Sequence, residues 1–477
     1  MDWAQPDALV PYEELAGDEW LLAPGWVREL VARLYAEHPK LGDPEVTRAI
    51  MQGLITSADH IYHLTRLAEG RYVHQPKKPP NGPKPAPVEV ALEDAIMRPL
   101  VSGAEAKRFV DPRTDTWLLF PYAVDDDGAR LWTPGEMADR FPLAWTYLRG
   151  HEEELRARES GKFDCDEWHQ FGRNQNIEKM DEPKLIVPRI VAALKVALDE
   201  PGEIYCDNVD VGGVLPTDPD DLPYLAGILA APVSNELFSW FSKPFRGDYL
   251  SANKQYIAPL PIPRASPEDR ATVAALARHL QAGTTERERL RAALADRLNR
   301  VARRNHPVDW LLPDVHSPER IAVGRPATLD PRDTKSWVDK RQQAQLESAL
   351  ARLDDAIRLD SQLKAELVDG ELRLLVDGAT VASAYVEADT APFLLAQWQL
   401  AALEFEPKRK NDGKRLVAAL RKLGTDADPA LRDQIIERQG TLAALSAELA
   451  RLEVELHEVT CRLFGLTAEE RRRVEAR

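Results

Sequence analysis

Two kinds of residue in this chain could do chemistry: carboxylates set near lysines, and cations set among amides and aromatics. Asp94 with Glu105-Ala-Lys107 has the acid and Glu-x-Lys order by which nucleases hold magnesium and position a water, and so does Asp164 or Asp166 with Glu182-Pro-Lys184. In a sequence that is 29% charged, such spacings arise by chance. His60 and His63 have no carboxylate or thiol at metal-ligand spacing, which fits packing or surface histidines. Glu152, Glu153 and Glu154 fit a solvated helix face. No Gly-rich phosphate loop, HExxH or GxSxG occurs. The sequence therefore assigns no catalytic residue and no metal ligand.

The cationic stretches are more informative. Lys107-Arg108-Phe109, Arg173-Asn174-Gln175-Asn176, and Lys243 to Tyr249 with Lys254-Gln255 combine positive charge, amides and aromatic rings. Such groups hold phosphates and read base edges in a DNA groove. The candidate DNA contacts are Lys107, Arg108, Arg173, Asn174, Lys243, Arg246, Tyr249, Lys254 and Gln255. The lysines suit phosphate positioning, whereas Arg, Asn and Gln suit base reading. A denser cluster, Lys408 to Lys410 with Lys414, Arg415, Arg421 and Lys422, fits a solvated helix face.

Composition limits the partners. A net charge of −16 over 477 residues opposes general nucleic-acid affinity but not a local basic groove. Cys165, Cys206 and Cys461 are far apart and form no CxxC pair, which excludes a disulfide scaffold and a cysteine zinc site and fits a reducing cytoplasm. The acidic start has no signal-peptide core, and no apolar run is long enough to span a bilayer. The expectation is a soluble cytoplasmic protein.

The elements that must position these groups alternate in type. Trp26–Pro39 reads as a helix, and so does the stretch from Gly42, capped by Asp43 with Pro44 at its first position, until Gly53 interrupts it and the run to Leu64 leads into a strand. Gln75–Pro87, with six prolines, is an extended linker or exposed loop and marks a first boundary. Residues 117–132 and 184–216 give short strands and turns, Pro142–Arg158 a charged helix, and Tyr224–Phe241 an apolar one. Ser266-Pro-Glu-Asp269 starts a long helix, or a pair broken near Gly283. Asp369-Gly370 and Asp377-Gly378 punctuate a small β-meander. Leu442, Leu445, Leu449, Leu452, Leu456, Val459 and Leu463 form a heptad seam, for a coiled coil or an antiparallel helical hairpin. The fold class is α+β.

The order of segments resembles the C-terminal half of type IIG restriction–modification adenine-specific DNA methyltransferases, which holds a TaqI-like specificity domain. The likeness is carried by Gly53–Leu64, MRPLVSGAEAKRF (Met97–Phe109), WLLFPY (Trp117–Tyr122), Phe141–Arg158, EPKLIVPRI (Glu182–Ile190), Tyr224–Pro263 and CRLFGLTAEERRRVE (Cys461–Glu475). It implies a helical connector arm over 1–75, a target-recognition domain over 76–265 and a long helix or helix pair over 266–305. An inserted α/β region over 306–410 and a helical coiled-coil tail over 411–477 complete the division. The family's Gly-rich S-adenosylmethionine loop and Asn-Pro-Pro-Tyr motif do not occur, and Pro79-Pro80 has neither the Asn nor the aromatic. The resemblance thus implies a specificity protein for a restriction–modification or phage-defence system. It would contact double-stranded DNA and a methyltransferase subunit that holds S-adenosylmethionine and magnesium, with its heptad tail available for self-association. This chain itself would need no cofactor. The other readings are a protein–protein scaffold derived from such a domain, and a magnesium-dependent nuclease.

Overall fold

A computed structural model describes residues 21–475 apart from 126, 246–248, 359–360 and 409. The fold is α+β, in two compact units: Met1–Thr285 with Leu449–Arg477, and Glu286–Glu448.

The strands of the first unit are β1 (Thr47–Gln52), β2 (His63–Ala68), β3 (Arg71–His74), β4 (Val88–Ala91), β5 (Met97–Val101), β6 (Thr116–Leu119), β7 (Tyr122–Asp125), β8 (Gly128–Leu131), β9 (Lys184–Pro188), β10 (Ile190–Val191), β11 (Ala197–Asp199), β12 (Tyr205–Cys206), β13 (Val211–Pro216) and β14 (Leu250–Ser251). They form a six-stranded sheet ordered β12-β5-β6-β2-β3-β4, a four-stranded sheet ordered β1-β13-β9-β11, and the ribbons β7-β8 and β10-β14. Both larger sheets bury side chains in one core, Leu100 and Leu118 from the first and Met51, Ile186 and Leu215 from the second. Phe120 sits among Tyr122, Phe171 and Tyr205, with ring centroids 5.4, 6.0 and 5.0 Å away. Such aromatic packing adds about 0.5–1.5 kcal/mol per pair beyond burial.

Three expectations for this unit change. Residues 47–52 are a strand, not part of a helix, because β13 presents Gly212 and Gly213 to Met51, and a Cβ at Gly212 would stand 2.3 Å from the Met51 carbonyl oxygen. A ladder that tight, with a partner distant in sequence, overrides local helix preference. The expected division at 75/76 falls inside the six-stranded sheet, since β3 and β4 flank the proline-rich stretch and pair from Arg71↔Ala91 to His74↔Val88. Proline forbids helix there but does not separate the strands on either side. Tyr224–Phe241 forms two helices, Leu222–Ala230 and Pro232–Phe241, because Pro232 has no N–H with which to continue the first.

The helix from Ser266 runs unbroken over Pro267–Asn299, and the Ser266 hydroxyl accepts from the Asp269 N–H at 3.1 Å. Gln281 pins it to the sheet, accepting from the Leu198 N–H (2.7 Å) and donating to the Leu198 carbonyl (2.8 Å) and Asp111 (3.0 Å). The heptad leucines lie on the helix Pro429–Leu463. Within the first unit, Arg462 pairs with Asp269 at 2.5 Å and Leu456 packs beside Val273 and Gly227. Within the second, Arg297 reaches Gln434, and Leu290, Leu294 and Leu298 share a core with Ile435 and Leu442. Both sets of contacts pair the long helices antiparallel. Of the seam expected to serve self-association, Leu442, Leu449 and Leu456 are buried, while Leu445, Leu452, Val459 and Leu463 are half-buried.

The second unit contains β15 (Ala302–Asn305), β16 (Leu363–Val368), β17 (Glu371–Val376), β18 (Ala379–Tyr385) and β19 (Lys422–Asp426). β16-β17-β18 is the expected meander, and Asp369, Gly370, Asp377 and Gly378 all have φ between 50° and 83°, as type I′ turns require. Its helices Thr334–Ala356, Ala391–Glu404 and Asp412–Arg421 close a core around Leu353, Trp398 and Leu420. β15 pairs antiparallel with β19 as a separate ribbon.

Candidate nucleic-acid interface

The segment Gly53–Ser57 is threaded between two others. Leu54 donates to the Cys206 carbonyl and accepts from the Asn208 N–H, while the Ile55 and Thr56 carbonyls accept from the N–H groups of Arg173 and Gly172. A Cβ at Gly53 would stand 2.3 Å from the Cys206 carbonyl oxygen, so only glycine permits the crossing. Arg158, buried over the Phe163 ring at 4.2 Å, locks this region. Its guanidinium donates to the carbonyls of Leu155 (2.9 Å), Thr56 (2.7 Å), Trp168 (2.7 Å) and Gln170 (2.8 Å). Ser57, Glu159, Ser160, Asn176 and Asn208 all take left-handed backbone angles around this crossing. Non-glycine residues there carry about 1–3 kcal/mol of strain each, which concentrates at functional sites.

Beside the crossing opens a groove of about 950 Å³. Its floor is the four-stranded sheet, where Ile50 pairs with Val214, and Gly212 lies between Gln52 and Val187. It is also lined by Gln175, Asn176, Asn253, Lys254 and Gln255, and by Arg189, which joins β9 to β10. Arg189 is fixed through its backbone, which donates to the Asp210 carbonyl (2.8 Å) and accepts from the Ala252 N–H (2.7 Å). Its Nε is buried and has no hydrogen-bond partner among the described residues. Asn176 donates to the Gln52 carbonyl at 3.2 Å. The groove thus offers one uncommitted guanidinium, one ammonium and several amides over an apolar floor.

The structure gathers part of the expected set here. Lys254 and Gln255 line the groove, at the start of the short helix Lys254–Ile257. Arg173 and Asn174 stop just short of it: Arg173 donates to Glu159 at 2.6 Å, and Asn174 accepts from the Tyr122 hydroxyl at 3.2 Å. Lys243 and the exposed Tyr249 stand on the loop leading into β14, and Arg246 lies outside the described residues. Lys107 is exposed on the turn after β5 and does not line the groove. Arg108 is an internal brace, donating to Glu453 at 2.6 Å and to the Ala230 carbonyl at 3.3 Å. Gln52, Arg189 and Asn253 were not singled out from sequence. Asn253 precedes Lys254 and was within reach of that reading, whereas Arg189 is a lone cation in an apolar run.

The carboxylate–lysine triplets have structural jobs. Asp94 accepts from the Tyr72 hydroxyl, the Gly70 N–H and Arg66, and Glu105 caps Ser102. Lys184 is fully buried and donates to Asp199 (2.7 Å) and to the Met180 and Glu182 carbonyls (2.7 and 3.1 Å). No cluster of three metal-ligating side chains occurs among the described residues. His63 does have carboxylates nearby, contrary to the sequence expectation: Asp59 at 3.9 Å and Asp207 at 3.8 Å.

Burial, with Asp59, Asp210 and Glu105 close by, pushes the Asp207 carboxyl up to about 7. A carboxyl raised on folding contributes stability in its protonated form, complete below its unfolded value near 4 and lost as pH rises through 7. Asp207→Asn removes that loss. In urea titrations its advantage over the parent is expected to grow by about 2 kcal/mol between pH 5 and pH 8. A gap independent of pH would show that Asp207 is ionised throughout this range.

No family model matches the chain. Over 253 residues it is 24% identical to the type II methyltransferase M.BstVI of Geobacillus stearothermophilus, which covers 53% of this chain and 39% of that protein. The chain thus spans about two-fifths of the length of the relative it matches, and the likeness is to a methyltransferase-related sequence. Among the described residues no helix is long and apolar enough to cross a membrane.

Proposed function

We propose that this chain reads DNA sequence for an adenine methyltransferase of a restriction–modification or phage-defence system, with catalysis supplied by a partner. The observation that carries this reading is the buried Nε of Arg189, unpartnered among the described residues, in a groove whose other polar side chains are Lys254 and the amides of Gln52, Gln175, Asn176, Asn253 and Gln255. A buried donor left unsatisfied costs about 1–3 kcal/mol, a cost that a ligand bringing acceptors offsets. Guanine N7 and O6 suit arginine, and adenine N6 and N7 suit Asn and Gln. The groove would dock on the major groove, with Lys254 on a phosphate. The likeness to a type II methyltransferase supports the same context. The sequence has no Asn-Pro-Pro-Tyr, and its one Pro-Pro pair lies in the exposed loop between β3 and β4, so S-adenosylmethionine and magnesium would belong to the partner.

Selection from a randomised duplex library by the tagged chain, alone and with the methyltransferase it captures from its host, tests the reading. A defined motif should emerge. Arg189→Ala should weaken its binding roughly 5- to 150-fold, equivalent to about 1–3 kcal/mol, and relax preference at one position. Lys254→Ala should instead weaken all duplexes alike and flatten the salt dependence. A chain that retains no duplex at low salt and captures no methyltransferase would be the scaffold.

A further inference from the structure

The densest positive charge in the sequence lies outside the groove, in the second unit. Residues 408–422 hold seven Lys and Arg against one acid, Asp412. That acid is buried and already engaged by Arg415 (2.6 Å) and the Lys408 N–H (3.0 Å). Residues 297–304 hold four arginines and no acid. The fold joins the two segments: β15 pairs with β19 so that Asn305 faces Lys422 and Arg304 faces Leu423, and Arg421 donates to the His306 carbonyl at 2.7 Å. Every residue of β15 is exposed. Arg303, Arg415 and Lys422 also ring a pocket of about 320 Å³ that contains a single carboxylate, Glu404. Among the described residues, Arg304, Lys414 and Lys422 have no acidic partner within ion-pair distance.

We propose that this ribbon face, centred on Arg303, Arg304 and Lys422, grips the phosphate backbone of double-stranded DNA without reading its sequence. The inference rests on the DNA-reading role of the first unit and adds a second, non-specific contact. Two observations favour nucleic acid over an acidic protein. The exposed ribbon residues are Ala302, Arg303, Arg304 and Asn305 on β15 and Lys422 and Asp426 on β19, five of them polar or charged and only Asp426 acidic, without the aromatic or apolar anchors that centre protein interfaces. The charge is a cluster of cations with few acids interspersed, on a unit that is near neutral as a whole, with 26 Lys and Arg against 27 Asp and Glu, so that outside the two segments the unit is acidic.

The experiment compares the full chain with Arg303→Ala/Arg304→Ala/Lys422→Ala on the selected duplex and on a scrambled one, across salt. Each phosphate contact contributes about 0.9 to the slope of log affinity against log salt, so the slope should fall by roughly 2–3. Both duplexes should weaken equally and the specificity ratio should hold, the reverse of the Arg189→Ala signature. A charge-preserving Arg303→Lys/Arg304→Lys chain should keep most of the affinity, which excludes loss through misfolding. The proposal falls if the parent binds DNA but the triple variant keeps the same slope and affinity. If the variant loses affinity for polyglutamate alone, the face belongs to an acidic protein. If the parent binds no duplex at low salt, the reading of the groove falls together with this one.

Discussion

Asp199→Ala is expected to destabilise the first unit by about 3–5 kcal/mol in urea unfolding. Lys184 and Asp199 are both buried, and besides its contact with Lys184, Asp199 accepts from the N–H groups of Glu203 and Ile204, each at 3.1 Å. Removing it strands a fully buried ammonium without its counter-charge and frees the turn that leads to β12. Lys184→Met/Asp199→Leu should be far milder, because it removes both charges and keeps the volume; buried pairs replaced this way are often neutral in their effect. Similar losses in the two variants would mean that packing, not the stranded charge, sets the cost. The outcome also bears on catalysis. A lysine fastened by three acceptors in the core has no donor left for a scissile phosphate, so any cleavage by this chain should survive Lys184→Met in its folded fraction.

The second large effect is at Arg158. Its four hydrogen bonds tie together carbonyls of three segments: the helix ending at Arg156, the crossing at Thr56, and the stretch from Trp168 to Gln170. Arg158→Ala should cost about 4 kcal/mol, from the unsatisfied carbonyls and the lost packing over Phe163. Arg158→Lys should recover little, because a single ammonium cannot span the fork. The loss should reach the groove, since Gln170 leads directly into the loop that bears Gln175 and Asn176. Amide exchange over 170–176 should accelerate by more than the global change in stability accounts for. Uniform acceleration across the unit would make Arg158 a general core residue, not a positioning one.

These two sites show what a single sequence discloses. Features set by neighbouring residues were legible: the Ser266 cap, the Asp-Gly turns and the heptad leucines each follow from contacts spanning a few residues. The misread features depend on partners far along the chain. TRAIMQ is a strand because glycines at 212 and 213 admit it. The proline-rich stretch looks like a boundary because composition reveals the loop but not the pairing of the strands flanking it. The same logic divides the groove. Lys254 and Gln255 advertise themselves in a basic, amide-rich run, whereas Arg189 and Gln52 acquire meaning only when four strands bring them together. Arg108 carries the same local signature as a DNA contact and is an internal brace, because its partner Glu453 is remote in sequence.

The β15–β19 ribbon has one more consequence. Asn305 and Lys422 are paired, so everything from His306 to Arg421 leaves and returns through a single doorway one strand spacing wide. A short turn could bridge that doorway without altering the geometry of either strand, and because closure entropy grows only slowly with loop length, a large insertion there costs little more than a small one. The meander and its helices thus form one long excursion from the ribbon, whose helix Ala391–Glu404 packs back onto the flanking helices through Phe393, Ala396 and Leu400.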